Sequence, residues 1–379
     1  MNQAAARDDL PASLARTEQY LSEDVTNRHL LARAIDLAVA LSRLDVAQAH
    51  LAQALAAYPD DPFFLFRMAE MHVLEGDWQR ARVLYGALHD KHRDAPLAFG
   101  LARCHAQAGE HEASLALMLP YKDAVGLDPQ QAAELVRALH HTGRMDDAVS
   151  FIAACVQQHG HVPVFCANAA LALLDAGDAD GAARMSTIGR ASGGVQSEFD
   201  IVDGTLALAR ADIAAALTYL TRVAHDPQAQ GRARSGIGAA HLFGGDLAVA
   251  LPALEAACAA LPAHIGTWQL LGWCRLLGRD LAGAEAAFDH AMALNRNFGD
   301  NHGALAAVYA LRGQLALATE TADKALRLDP ESWSARYARM VLAGETLDRA
   351  RFLTLAQRLL STRKLPDGRV LSDLLPDGA

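Results

Sequence analysis

Two thiols and two imidazoles fall within twelve residues, as Cys155-x3-His159-x-His161-x4-Cys166. Two thiolates with two neutral imidazoles are the donor set of a tetrahedral zinc site. Free cysteine is also a small apolar filler, and Cys155 and Cys166 both stand at packing phases of a repeat described below. The expectation is therefore packing and surface side chains, with no metal. His72, His105 and His241 recur at one phase. A pH-sensing group would show that pattern, and so would a half-buried polar side chain kept in one slot. His140-His141 is the remaining pair able to move protons. No nucleophile pattern, phosphate loop or metalloprotease helix motif accompanies it. The chain nowhere presents a nucleophile, base and oxyanion donors together, so it reads as not an enzyme, with no catalytic residue and no cofactor.

Composition narrows the partner. The formal charge of −10 over 379 residues leaves no basic stripe for nucleic acid or for anionic lipid. The first 21 residues contain no apolar run after a basic start, so no secretory signal is expected. The uncharged stretch 256–274 is broken by Pro262 and His264, and membrane insertion is not expected. Five scattered cysteines suit free thiols in a reducing compartment, and the expectation is cytoplasmic. Of the 34 basic residues only Lys91, Lys122, Lys324 and Lys364 are lysines, a bias that with the alanine content fits a GC-rich bacterial genome.

A repeat places these residues. Units begin at Arg28, Pro62, Ala95, Pro129, Pro163, Ser197, Gly231, Ile265 and Gly299, each 34 residues after the last except for one step of 33. Position 20 of the nine units is alanine eight times and Ser114 once; position 8 is small or aliphatic throughout. Two helices per unit approach closely when facing positions are small, so positions 8 and 20 are expected to share one contact. Position 15 is glycine in six units, from Gly76 to Gly313, as a left-handed helix terminus requires. Asp77, Asp178 and Asp246 follow and are placed to cap the next helix.

The pattern resembles the tetratricopeptide repeat family. The match is closest at Trp268, Leu271, Gly272, Ala284, Phe288 and Ala291, and continues at Leu305, Tyr309, Ala318, Ala325 and Pro330. It covers residues 28–332. The resemblance implies an all-α fold, a right-handed superhelical solenoid of antiparallel helix pairs whose first helices line a concave groove. Residues 1–27 then read as an N-terminal capping helix, 333–362 as a degenerate capping pair, and 363–379 as a flexible tail.

In the family, positions 2, 5, 9, 12 and 13 face the groove. That implies Phe63, Phe66, Glu70, Val73 and Leu74 in the second unit, and Phe99, Arg103 and Gln107 in the third. It implies Arg137, His140 and His141 in the fourth, Arg232, Leu242 and Phe243 in the seventh, and Gln269, Trp273, Leu276 and Leu277 in the eighth. Such a face is largely apolar and suits an extended or helical peptide, with Arg103 and Arg137 set to grip a partner carboxylate. The lysine clamp of chaperone-peptide binders and the asparagine ladder of sugar-transferase arrays are both missing. Ser186, Gly189 and Asp203 stand where packing residues belong and Gly193-Gly194 follow at the junction, which makes the boundary of units five and six a candidate hinge. The leading expectation is a scaffold or adaptor for a protein or peptide partner, in bacteria often one serving secretion or envelope assembly. The alternative is a peptide receptor switched at that hinge.

Overall fold

A computed structural model describes residues 9–123 and 126–344. The expected tail (363–379) and the second helix of the C-terminal capping pair lie outside them. Among the described residues there are twenty α-helices, one 3-10 turn and no strand. The chain divides between Cys155 and Val156 into two compact units.

The first unit holds α1 (Leu10–Glu23), α2 (Arg28–Ala40), α3 (Leu44–Ala57), α4 (Pro62–Leu74), α5 (Trp78–Lys91), α6 (Ala95–Gln107), α7 (His111–Met118) and α8 (Pro129–His141). The division falls within α9 (Met145–His159). In the second unit follow α10 (Pro163–Asp175), α11 (Ala179–Ala191), α12 (Ser197–Ala209), α13 (Ile213–Arg222) and α14 (Gln230–Phe243). Then come α15 (Leu247–Ala260), α16 (Ile265–Leu277), α17 (Leu281–Leu294), α18 (Gly299–Leu311), α19 (Leu315–Leu328) and α20 (Trp333–Leu342). First helices begin at the residue the 34-residue phase indicates, except that α14 starts one residue early, at Gln230. In α7, Pro120 cannot donate back to the preceding turn, and the helix passes into the 3-10 turn Leu119–Tyr121 after eight residues. Leu14 and Leu21 of α1 are buried against the cluster built on Leu31, Ile35 and Leu51.

The close packing differs in one respect from the sequence expectation. Position 20 is fully buried from Ala47 to Ala318. The small residue at position 8, however, faces position 24 of the second helix. A Cβ added to Gly204, Gly238 or Gly272 would come within 2.6, 2.5 and 2.3 Å of Leu220, Leu254 and Phe288. One large side chain fills the space that each missing methyl leaves. Burying a leucine or phenylalanine there contributes about 2 kcal/mol.

The turns follow one rule. The six glycines at position 15 all have φ between 71° and 86°. The other three units take the same conformation with Ser42, Ala211 and Arg279, at φ 57°, 56° and 65°. Where the next residue is aspartate, in five units, it caps the second helix. The carboxylates of Asp77, Asp178 and Asp246 accept from the backbone N–H of Arg80, Gly181 and Val249 at 3.1, 2.8 and 3.3 Å.

The junction at 186–206 is filled. Gly189 and Gly194 make room for the fully buried ring of Phe199; a Cβ on either would stand 2.3 or 2.6 Å from it. The Ser186 hydroxyl donates to Asp203 at 2.8 Å. Arg190 donates through Nε to Asp203 at 2.9 Å and through its terminal nitrogen to Asp200 at 2.7 Å. The polar residues that break the apolar pattern satisfy one another across α11 and α12.

Candidate functional site

The first-helix face of the first unit is built by α2, α4, α6 and α8, and charge is its dominant feature. Arg67 pairs with Asp36 at 2.7 Å and with Glu70 at 2.5 Å. Burial opposes the charge on Arg67, and the two carboxylates outweigh it, raising its pKa. Arg103 lies 3.6 Å from Glu134, which Arg137 holds more closely from the other side. Gln130 adds a hydrogen bond to the same carboxylate at 3.2 Å. Arg103 and Arg137 therefore both face a carboxylate of the chain itself, that of buried Glu134. The sequence reading missed Glu134, whose partner Arg103 lies 31 residues away on the preceding first helix.

The aromatics divide. Phe63 is half-buried, edge-on to Phe64 at 5.5 Å, with the Arg67 guanidinium 5.2 Å from its ring centre. Phe66 meets Tyr85 edge-on at 5.8 Å. Burial pushes the Tyr85 hydroxyl pKa up, so it stays protonated. Phe99, expected on the face, is buried among Leu115, Met118 and Leu135. Gln107 is exposed and His140 is buried. The exposed His141 stacks on His111 at 4.3 Å with rings 9° apart, and His140 lies 5.5 Å from it. Burial, with the Arg137 charge second, holds His111 below its ordinary range. His111 opens α7 and was not singled out from the sequence.

In the second unit the face is built by α10, α12, α14, α16 and α18. Arg232 donates to Asp175 at 3.1 Å, reaching from α14 to α10 past the intervening pair. Gln269 donates to the Asn301 carbonyl oxygen at 3.0 Å, and the Asn301 amide donates to the Ala291 and Asn295 carbonyls. Trp273 is half-buried, edge-on to Phe288 at 5.6 Å and tilted on Trp333 of α20 at 4.5 Å. Leu242 and Leu276 are buried, whereas Phe243 and Leu277 are 64% and 52% exposed.

The recurrent histidines have a structural explanation. His72 faces Glu75 at 3.2 Å, His105 faces Glu110 at 2.6 Å, and His241 faces Asp246 at 3.8 Å. Each ring ties its helix to an acid of the turn that follows. His105 and Arg82 together hold the Glu110 carboxyl below its usual range. Among the described residues no group of three or more His, Cys, Asp or Glu side chains is placed to hold a metal ion. The Cys166 thiol donates to the Gly160 carbonyl at 3.0 Å, and burial pushes its pKa up, against the thiolate that zinc requires. Among the described residues, no helix is long and apolar enough to cross a membrane.

Residues 33–96 match the model of the family described as tetratricopeptide repeat. No curated protein sequence matches the chain. Solved structures similar to it include the APC/C hetero-tetramer Cut9–Hcn1, at 12% identity and a TM-score of 0.48, covering 88% of this chain and 94% of that one. Another is pilF of Pseudomonas aeruginosa, at 13% identity and a TM-score of 0.43, covering 58% of this chain and 96% of that one. The family match spans helices α2 to α5, which are similar to tetratricopeptide repeats, and the same helix pair, left-handed turn and buried position 20 recur from Arg28 to Leu328.

Proposed function

We propose that the protein is a non-enzymatic scaffold that captures a partner peptide or protein segment on its first-helix faces. The observation that carries this reading is a repeated exposure. Leu74, Phe243 and Leu277 hold one phase, at the ends of α4, α14 and α16, and are 57%, 64% and 52% exposed. An apolar side chain kept exposed at one phase on several first helices is what a docking strip supplies. In the second unit the half-buried Trp273 stands one turn before Leu277 and adds an aromatic anchor. Arg232 and Gln269, already fixed by Asp175 and Asn301, offer preorganised polar groups beside them. The charge network of the first unit contributes specificity more than affinity, since an incoming acid competes with Glu134 for Arg103 and Arg137.

The same reading places the protein in the cytoplasm, in assembly of a bacterial secretion or envelope system, a setting that rests on the family resemblance. A receptor switched between units five and six has less support, because Phe199 and the Arg190 network fill that junction. The test is affinity capture from the native host with wild-type chain and with Phe243→Ser/Leu277→Ser. Both side chains are exposed, so the variant keeps its fold, and losing such anchors weakens capture about tenfold or more. Identical partners at identical yield from both chains would sink the docking strip.

A further inference from the structure

We infer that the second unit carries another binding site, in the cleft between α17, α18 and α19, and that its occupant is an acidic peptide segment bearing one apolar side chain. The cleft has a volume of about 390 Å³. Three cations line it, Arg296, Lys324 and Arg327, against a single acid, Glu320. All three are exposed, and none forms an ion pair among the described residues. The Glu285 and Asp289 charges reach the lining Tyr309, and three further acids nearby are engaged elsewhere. Asp300 accepts from the Ser332 and Ser334 hydroxyls, Asp323 from Arg339, and Glu331 pairs with Arg336. In a chain of net charge −10, a cleft lined by two more cations than acids is complementary to carboxylates.

The rest of the cleft decides what carries those carboxylates. Met292, Leu305 and Leu317 give it an apolar floor. Leu317 is 44% exposed, and exposed Leu294 and Leu328 extend the apolar surface along α17 and α19. A small metabolite gains affinity when a pocket buries most of its surface. This cleft is open along α19, so a chain segment crossing it gains more. The cationic end is also fixed in place. The buried His302 donates through Nε2 to the Arg296 carbonyl at 2.9 Å, which holds the turn before α18. Burial, with the Lys324 charge as a lesser cause, keeps His302 below its ordinary range, so its ring adds no charge at neutral pH. The site sits over the second helices α17 and α19, apart from Phe243 and Leu277, and its test separates from that of the first-helix strip.

The experiment uses the full chain and a short fluorescein-labelled peptide in which glutamates flank one leucine, followed by anisotropy at low salt. The wild-type chain binds it saturably. Lys324→Glu/Arg327→Glu weakens binding by about tenfold or more, and Leu317→Ser by a few-fold. Phe243→Ser/Leu277→Ser leaves it unchanged. Circular dichroism melting of each variant shows that the fold is kept. Absence of saturable binding by the wild-type chain overturns the inference, as does equal affinity for the charge-reversed chain. Displacement of the peptide by equimolar pyrophosphate, with Leu317→Ser without effect, overturns it in favour of a small-anion site.

Discussion

Ser42, Ala211 and Arg279 carry positive φ where six sister turns carry glycine. A Cβ in the left-handed region costs about 1–2 kcal/mol, so these turns hold strain that glycine would relieve. Ala211→Gly therefore raises stability by about 1 kcal/mol, read as a higher urea midpoint with an unchanged slope. A lower midpoint would mean that the Ala211 methyl makes a contact worth more than the strain. Position 15 was legible in the sequence because a backbone requirement there selects the residue type directly. Glu134 was not, because its local partners Gln130 and Arg137 make an ordinary helix-surface pattern, and the contact that ties it to the preceding repeat comes from Arg103 on another helix. Phe99 was misplaced for a related reason. Family phase puts it on the open face, but Leu115, Met118 and Leu135 close over it, since α7 is short and its end turns in a 3-10 bend.

At the scale of the element, caps and junctions show the same split. The phase of each helix start follows from spacing alone, while what fills a junction depends on the neighbour. Gly189 and Gly194 read as weakness until Phe199, on the next helix, is seen to occupy the space they leave. Helix α16 shows how a cap links an element to pH. His264 precedes it, and its Nδ1 accepts from the Thr267 backbone N–H at 3.2 Å, which needs that nitrogen unprotonated. Desolvation by its neighbours, then the Arg232 charge, holds His264 below its ordinary 6.5. A lowered folded value means that the unfolded chain takes up the proton first. The stabilisation is complete above pH 6.5 and is lost as pH falls through the folded value. His264→Asn keeps a capping oxygen that does not titrate in this range. Its melting temperature is expected to fall less than that of the wild type between pH 7.5 and about pH 5. Parallel pH profiles for the two chains would remove His264 from the account.

At the scale of the molecule, sustained helix contacts within each unit join helices one or two apart in sequence, with Arg232–Asp175 as a longer reach. Stability in such an array is close to a sum of nearest-neighbour interfaces. That sum is why the fold was readable from one repeated phase, and why the docking face was readable only in part. Each repeat restates the same packing rule, whereas each face residue answers to a different neighbour. The consequence can be measured. Phe288 is fully buried, fits the space beside Gly272, and meets Trp273 edge-on. Phe288→Ala empties that space and costs about 3–5 kcal/mol. In a nearest-neighbour array the loss stays local. Hydrogen exchange should quicken across α16, α17 and α18 and leave α2 to α5 at wild-type rates. A uniform loss of protection along the whole chain would show instead that the array unfolds as one cooperative body. A partner on the first-helix strip would then stabilise every helix it does not touch. Local loss means that such a partner protects only the helices beneath it and their immediate neighbours, so that a protection map of the complex would outline its footprint.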